Sequence, residues 1–144
     1  MIKSLRVVLD TNVFVSAALS KNPTSPTREI LERWMQGQFI LVICTPLMEE
    51  IAEKLLDHNI EDNLIGSLVE RLTELAEWVE VPLEKIENLL PDPDDNVIVA
   101  CAVEGKVDYL VTYDPHFDPL SGEYQDIRIL KAIPFLEALR KTVK

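Results

Sequence analysis

Apolar runs that alternate with helical patterns constrain the fold of this chain more than any other feature. The runs at residues 5–9 and 39–45 are apolar except for Arg6 and Thr45 and are rich in β-branched residues, so neither suits a strand with one face in water. Further strands are predicted at 107–114 and 127–131, and a short one at 78–82. The pattern predicts an α/β protein with three layers, α/β/α, around a twisted, mostly parallel sheet of about four or five strands.

Segments with helical periodicity separate these runs. The segment from Pro93 to Gly105 is the clearest, because Asp92 suits an N-cap, Pro93 the first helical position and Gly105 a stop. The other predicted helices cover residues 12–19, run from Thr27 to a stop at Gly37, begin at Pro46 and continue through Leu55, and cover 60–79 and 133–143, with loops at 20–26 and 115–124.

Length and composition are those of one globular domain. The chain has 144 residues, of which 47% are hydrophobic and 27% charged, so we expect a single domain over residues 1–144. No apolar window approaches the length of a membrane span, and we expect a cytoplasmic protein. Cys44 and Cys101 both lie in apolar runs and are predicted to be reduced core residues.

The charge balance is strongly acidic. A formal net charge of -11 argues against nonspecific binding to nucleic acid through a basic face. If nucleic acid is the partner, bound divalent cations or basic residues of another protein must offset this field.

Acidic residues end two of the predicted strands. Asp10 follows the run 5–9 directly, and Asp114 closes the run 107–114. A buried carboxylate is costly unless it caps a helix or binds a cation. Because ligands collect at the carboxyl ends of parallel strands, Asp10 and Asp114 are expected to face one crevice, together with Glu50 and Asp95 from the helices that follow strands.

Four carboxylates in one crevice predict a metal site. Repulsion between them raises their pKa values, whereas a divalent ion favours the fully ionised set. Oxygen donors without neighbouring Cys or His ligands favour Mg²⁺ or Mn²⁺ over zinc. Such an ion can activate a water and orient a phosphate, which suits phosphoryl chemistry.

Several motifs resemble one known family over nearly the whole chain. The segments VVLDTNVFVSAAL, TPLMEEIAEKL, DPDDNVIVACA, YLVTYDPHF and IPFLEAL resemble the PIN domain, in particular the bacterial and archaeal proteins grouped with VapC-like toxins. The resemblance implies a metal-dependent ribonuclease in which a water or hydroxide attacks an RNA phosphodiester in line. It also implies an RNA substrate, a homodimer and a cognate antitoxin as partners.

The resemblance assigns roles to single residues. Asp10 corresponds to the first metal ligand, Glu50 to the helical acid of the second motif, Asp95 to the acid of the third and Asp114 to the fourth. Residues expected to orient these ligands by hydrogen bonds are Thr11, Asn12 and Thr112. The sequence departs from the family pattern at Tyr113, where relatives often have a small residue, and neither His116 nor Asp118 is carried over as a site residue.

Simpler interpretations exist for each acid. Asp10 could serve only as an N-cap, and Asp114 could only begin a turn with Pro115. Glu49 is an alternative to Glu50. Asp92 is interpreted as a cap and Asp94 as a dipole complement, whereas Asp95 shares its helical face with apolar residues and is predicted to point inward.

Other functions are compatible with parts of the pattern. A PIN nuclease of RNA maturation would use the same acids, and a PIN-like protein that binds metal or a partner without catalysis is a third possibility. A phospho-acceptor receiver domain is disfavoured because the run 39–45 ends without an aspartate, and an Asp-x-Asp phosphatase because Asn12 stands two residues after Asp10.

Overall fold

The computed structural model describes residues 4–142 of the chain. Its strands are β1 (Arg6–Leu9), β2 (Ile40–Ile43), β3 (Glu77–Trp78), β4 (Tyr109–Val111), β5 (Glu123–Tyr124) and β6 (Ile127–Leu130). Its α-helices are α1 (Thr11–Leu19), α2 (Pro26–Met35), α3 (Thr45–Asp57), α4 (Asp62–Leu75), α5 (Pro93–Glu104) and α6 (Ala132–Thr142), and short 3₁₀ helices lie at Leu83–Lys85 and Pro115–Leu120.

The strands form one sheet in the order β3-β2-β1-β4-β6-β5. All neighbouring strands are parallel except β5 and β6. Successive residues of β1, from Val7 to Leu9, are fully buried although their side chains point to opposite faces of the sheet. Both faces are therefore covered, which confirms the predicted mostly parallel α/β architecture flanked by helices.

Helix α4 is shorter than predicted. The expected helix 60–79 ends at Leu75, because Ala76 is extended and Glu77–Trp78 pair with β2 as a parallel strand. Trp78 then donates its indole N–H to the Leu72 carbonyl at 3.1 Å, and the same carbonyl accepts from the N–H of the C-cap Ala76 at 3.2 Å. The apolar periodicity continues past Leu75, but pairing with the sheet decides the backbone conformation there.

The segment predicted as the loop 115–124 contains regular structure. A 3₁₀ helix at Pro115–Leu120 is followed by Ser121 and Gly122, both with positive φ, and then by β5. Strand β5 pairs antiparallel with β6, so the described residues form a sheet of six strands, one more than the upper limit predicted. A two-residue strand has too little periodicity to be recognised in the sequence.

The start and end of α5 follow the prediction. Asp92 is the N-cap and accepts a hydrogen bond from the Asp94 N–H at 2.9 Å, Pro93 is the first helical residue, and Gly105 is the C-cap. Residues 98–102 are buried against the sheet. Asn96, also buried, accepts from the N–H groups of Leu89 and Leu90 and donates to the Leu90 carbonyl, which fixes the chain just before the N-cap.

The remaining expectations concern the chain end, the thiols and the membrane. The predicted helix 133–143 is α6, and Val143 lies outside the described residues. Cys44 and Cys101 are buried free thiols. Among residues 4–142, no helix has both the length and the apolar character that crossing a bilayer requires.

Candidate active site

Hydrogen bonds from both backbone and side-chain groups hold Asp10 directly after the end of β1. Its N–H donates to the Val111 carbonyl at 2.9 Å, Oδ1 accepts from the Thr11 N–H at 2.7 Å, and Oδ2 accepts from the Thr112 hydroxyl at 2.7 Å. Only 4% of the residue is exposed. Burial raises its pKa against the opposing effect of the two hydrogen bonds, and the charge of Asp114 raises it further. Asp10 is therefore the N-cap of α1 and also part of an acidic cluster.

Asp114 is joined to Asp10 through Thr112. The Thr112 hydroxyl oxygen accepts from the Asp114 N–H at 2.9 Å while its proton goes to Asp10. Asp114 in turn caps the 3₁₀ helix, since its Oδ1 accepts from the His116 N–H at 2.8 Å. Asp114 therefore begins the turn considered for it and also lies near the other acids.

Asp95 points inward from the first turn of α5. It is 5% exposed, and its Oδ2 is buried without a hydrogen-bond partner. Burial, followed by the charges of Asp114, Asp92 and Asp10, raises the Asp95 pKa to about 6, and His116 opposes this shift. An ionised oxygen left without a donor in this position is costly unless a cation binds it.

Glu50 approaches the same cluster from α3. It is partly buried, whereas Glu49 is exposed. Burial is the largest cause that raises the Glu50 pKa to about 7, and the charges of Asp10, Asp94 and Asp95 add to it. The nearby Thr11 hydroxyl acts to lower the Glu50 pKa, although the Thr11 hydroxyl oxygen is buried and makes no well-formed hydrogen bond to the protein.

The cluster has the chemistry of a divalent cation site. The carboxyl groups of Asp10, Glu50 and Asp95 have raised pKa values because each is desolvated near others of the same charge. A cation would relieve this repulsion and would supply a partner for the buried Asp95 Oδ2. The residues present therefore fit a hard, oxygen-liganded ion such as Mg²⁺ or Mn²⁺.

Two further residues border the cluster. His116 Nδ1 lies 3.4 Å from Asp95 Oδ2 and 3.3 Å from Asp114 Oδ1. Asp92, Asp95 and His116 each offer a ligand atom, and those atoms lie within 4.8 Å of one another.

The comparison with protein families bears directly on this arrangement. The profile of the PIN domain matches residues 6–116, a range that contains Asp10, Glu50, Asp95 and Asp114. The chain belongs to the PIN domain family. A PIN domain also agrees with the parallel sheet and with the position of the acids at its carboxyl edge.

Solved structures support the same fold. A chain in the crystal structure of VapBC2 from Rickettsia felis bound to a DNA fragment from their promoter has a TM-score of 0.59 to this PIN domain. The similarity covers 87% of this chain and 97% of that chain, at 14% sequence identity, and therefore concerns the fold. No curated protein gives a significant match to the sequence.

The residues predicted to orient the metal ligands of this PIN domain differ in what they contact. Thr112 and the Thr11 N–H contact Asp10 directly. The Asn12 side chain instead accepts from the Tyr113 N–H at 3.4 Å, so it supports the β4 end rather than an acid. Tyr113 itself is 39% exposed.

Sequence reasoning missed three residues at this site of the PIN domain. The sequence predicts only a cap role for Asp92 and assigns no role in the site to His116 or Asn96. His116 stands two residues after Asp114. The 3₁₀ helix at Pro115–Leu120 turns the chain there, so that the His116 side chain lies near the same acids. The Asp-Pro pair at residues 114–115 is a local signal for that turn.

Proposed function

We propose that this PIN domain is an Mg²⁺- or Mn²⁺-dependent endoribonuclease that hydrolyses RNA phosphodiester bonds. The observation that carries the proposal is the buried, unpartnered Asp95 Oδ2 within a cluster of carboxyl groups whose pKa values are raised. Repulsion within such a cluster destabilises the metal-free protein, and a bound divalent ion offsets that repulsion. Family membership supports nuclease chemistry for that ion.

Thr112 positions two of the four proposed ligands. Asp10, Glu50, Asp95 and Asp114 would hold the ion, with Thr112 fixing Asp10 and the backbone of Asp114. When bound, the ion would activate a water for attack on the phosphate and neutralise charge on the leaving oxygen. Its positive charge would also admit a phosphodiester to a protein whose net charge is -11.

A cavity of about 230 Å³ extends the cluster along α3 and α5. Glu50, Asp94 and Ile98 are among its lining residues. The strongly acidic lining favours a short contact with substrate close to the ion over an extended contact with the RNA backbone. We therefore propose single-stranded RNA or a loop as the substrate, since its phosphates can approach a confined site.

We further propose that the protein is the toxin of a toxin–antitoxin pair. The fold similarity to a chain of VapBC2 supports this role, and a cognate antitoxin would be the partner. An antitoxin that placed a basic side chain in the acidic crevice would be favoured electrostatically. A homodimer is proposed by analogy with the family, and an RNA-maturation nuclease remains the alternative use of the same site.

Cleavage of a mixed RNA pool tests the proposal. Wild type and Asp10→Asn are compared with Mn²⁺, with Mg²⁺ and with EDTA, and product ends are sequenced. Glu50→Gln and Glu49→Gln form a matched pair, because both acids line the cavity but only Glu50 is partly buried near the other acids of the cluster. We expect metal-dependent cutting that is lost in Asp10→Asn and Glu50→Gln and retained in Glu49→Gln. Absence of cutting by wild type, despite measured metal binding, would favour a PIN protein that binds without catalysis.

A further inference from the structure

His116 lies beside the acidic cluster, although it is not one of the four proposed metal ligands. Its Nδ1 is 3.4 Å from Asp95 Oδ2 and 3.3 Å from Asp114 Oδ1. Neither contact has hydrogen-bond geometry, and the imidazole side chain is 56% exposed. The ring is thus placed at the mouth of the cluster with one nitrogen directed at two carboxylates.

We infer that Asp92, Asp95 and His116 form a binding site for a divalent first-row transition-metal ion, in which His116 supplies a nitrogen ligand. The site shares Asp95 with the ligand set proposed above, so the inference rests on the proposed function and specifies which kind of ion Asp95 binds. It adds one nitrogen donor to what would otherwise be an all-oxygen site.

Geometry supports a shared ion between these three residues. Their ligand atoms lie within 4.8 Å of one another. Two ligand atoms at about 2.1 Å from one ion are roughly 3 to 4 Å apart, depending on the angle between them. The separation of 3.4 Å between His116 Nδ1 and Asp95 Oδ2 falls within that interval.

An independent observation indicates that Asp95 is directed at a ligand. Its side chain is only 7% exposed, and Oδ2, the oxygen nearest His116, has no hydrogen-bond partner. Buried carboxylate oxygens are normally satisfied, and one that is not requires a cation or another unseen partner. Asp92 keeps a free oxygen for the same ion, because its cap bond to the Asp94 N–H uses only Oδ1.

The nitrogen ligand determines which ion is preferred. Mg²⁺ binds oxygen ligands and retains its waters, whereas imidazole favours transition-metal ions. The site is therefore expected to prefer Mn²⁺ and later first-row ions to Mg²⁺. The competing interpretation is that His116 is a protonated counter-ion of Asp95 and Asp114 and never contacts a metal.

Pulsed electron paramagnetic resonance of Mn²⁺ bound to the full chain distinguishes the two interpretations. The chain contains 2 histidines, and His58, the exposed C-cap of α3, is the matched control. Wild type and His58→Ala are expected to show coupling of Mn²⁺ to an imidazole nitrogen, and His116→Ala is expected to lose it. Calorimetry should give at least a ~10-fold loss of Mn²⁺ affinity in His116→Ala, with a change of less than about 3-fold for Mg²⁺.

Each outcome separates this inference from the proposed function. Nitrogen coupling to Mn²⁺ in a protein that cuts no RNA would support the metal site and overturn the nuclease. RNA cleavage without nitrogen coupling, and with unchanged Mn²⁺ affinity in His116→Ala, would support the nuclease and overturn the role of His116. Lower stability of metal-free His116→Ala, with Mn²⁺ affinity intact, would assign His116 as a counter-ion and also overturn the inference.

Discussion

The Thr112 hydroxyl donates a hydrogen bond to Asp10 Oδ2 at 2.7 Å, although 102 positions separate the two residues in the chain. The same hydroxyl oxygen accepts from the Asp114 N–H at 2.9 Å. One buried side chain therefore sets the positions of two acids at the ends of neighbouring parallel strands.

Removing this hydroxyl tests how far the two acids depend on it. In Thr112→Val, Asp10 Oδ2 loses its donor and the Asp114 N–H loses its acceptor, so the free energy of unfolding should fall by about 1–3 kcal/mol. Chemical denaturation measures this change, and calorimetry should show weaker Mn²⁺ binding. Thr112→Ser keeps the hydroxyl and should stay close to wild type in metal affinity. Equal metal affinity in Thr112→Val and Thr112→Ser would contradict the role of Thr112 in positioning the two acids.

Stability of the metal-free protein should depend on pH through Glu50 and Asp95. Folding raises their pKa values to about 7 and about 6, whereas in the unfolded chain they return to ordinary values near 4. The folded state therefore binds more protons between about pH 4 and pH 7, and the stability that these groups contribute is full below that interval and is lost as pH rises through it. The loss should be on the order of 1–3 kcal/mol.

The comparison of wild type with Glu50→Gln isolates this effect from the other titrating groups. With EDTA present, the difference in unfolding free energy between the two proteins should grow from pH 5 to pH 8, in favour of the variant. A difference that does not change over this range would show that Glu50 is not desolvated by the cluster.

Asp95→Asn should stabilise the metal-free protein and abolish its response to metal. The amide removes one of the mutually repelling charges, and it cannot serve as an anionic ligand. Thermal melts at pH 7.5 should show a higher Tm than wild type in EDTA, and no increase on adding Mn²⁺, which raises the wild-type Tm by mass action. Asp118→Asn, at an exposed position, serves as the control. A lower Tm of metal-free Asp95→Asn would indicate a structural role for Asp95.

Asn96 should be needed to place the N-terminus of α5. Its side chain makes three hydrogen bonds to the backbone of Leu89 and Leu90, directly before the N-cap Asp92. Asn96→Ala leaves the buried N–H and carbonyl of Leu90 unpaired and should cost about 1–3 kcal/mol of stability. It should also weaken Mn²⁺ binding, because Asp92 and Asp95 both lie in the segment between Leu90 and Asn96 that these bonds hold in place. A loss of stability with unchanged Mn²⁺ affinity would limit Asn96 to folding.

Two glycine substitutions should have opposite effects on stability. A Cβ at Gly105 would lie 2.5 Å from Val42 Cγ1 in the core, so Gly105→Ala should destabilise the protein by about 1–3 kcal/mol. Gly66 is exposed within α4, and a Cβ there meets no atom within 4 Å. Gly66→Ala should therefore stabilise the protein by about 0.5–1 kcal/mol through helix propensity. Urea denaturation of both variants checks the contrast, and a neutral Gly105→Ala would show that β2 and α5 can separate without cost.

Local patterns predicted much of the fold because their causes are local. The strand β2 is apolar at every position and β1 at every position after Arg6, and the Asp92, Pro93 and Gly105 signals act at the two ends of α5. The end of α4 at Leu75 and the strand β5 depend on pairing with β2 and β6, and no periodicity of their own residues reports that pairing.

The sequence by itself determined that acidic residues lie together at one edge of the sheet, and the tertiary structure decided which other residues contact them. Asp10 and Asp114 follow apolar strands, and Asp95 shares a helical face with apolar residues, so the burial of Asp10 and Asp95 and the partial burial of Asp114 follow from position along the chain. The link from Thr112 to Asp10 and the approach of His116 to Asp95 join residues 102 and 21 positions apart, respectively. Such contacts form only when strands and helices pack, because hydrogen bonding and charge interaction depend on distance in space and not on spacing in the chain.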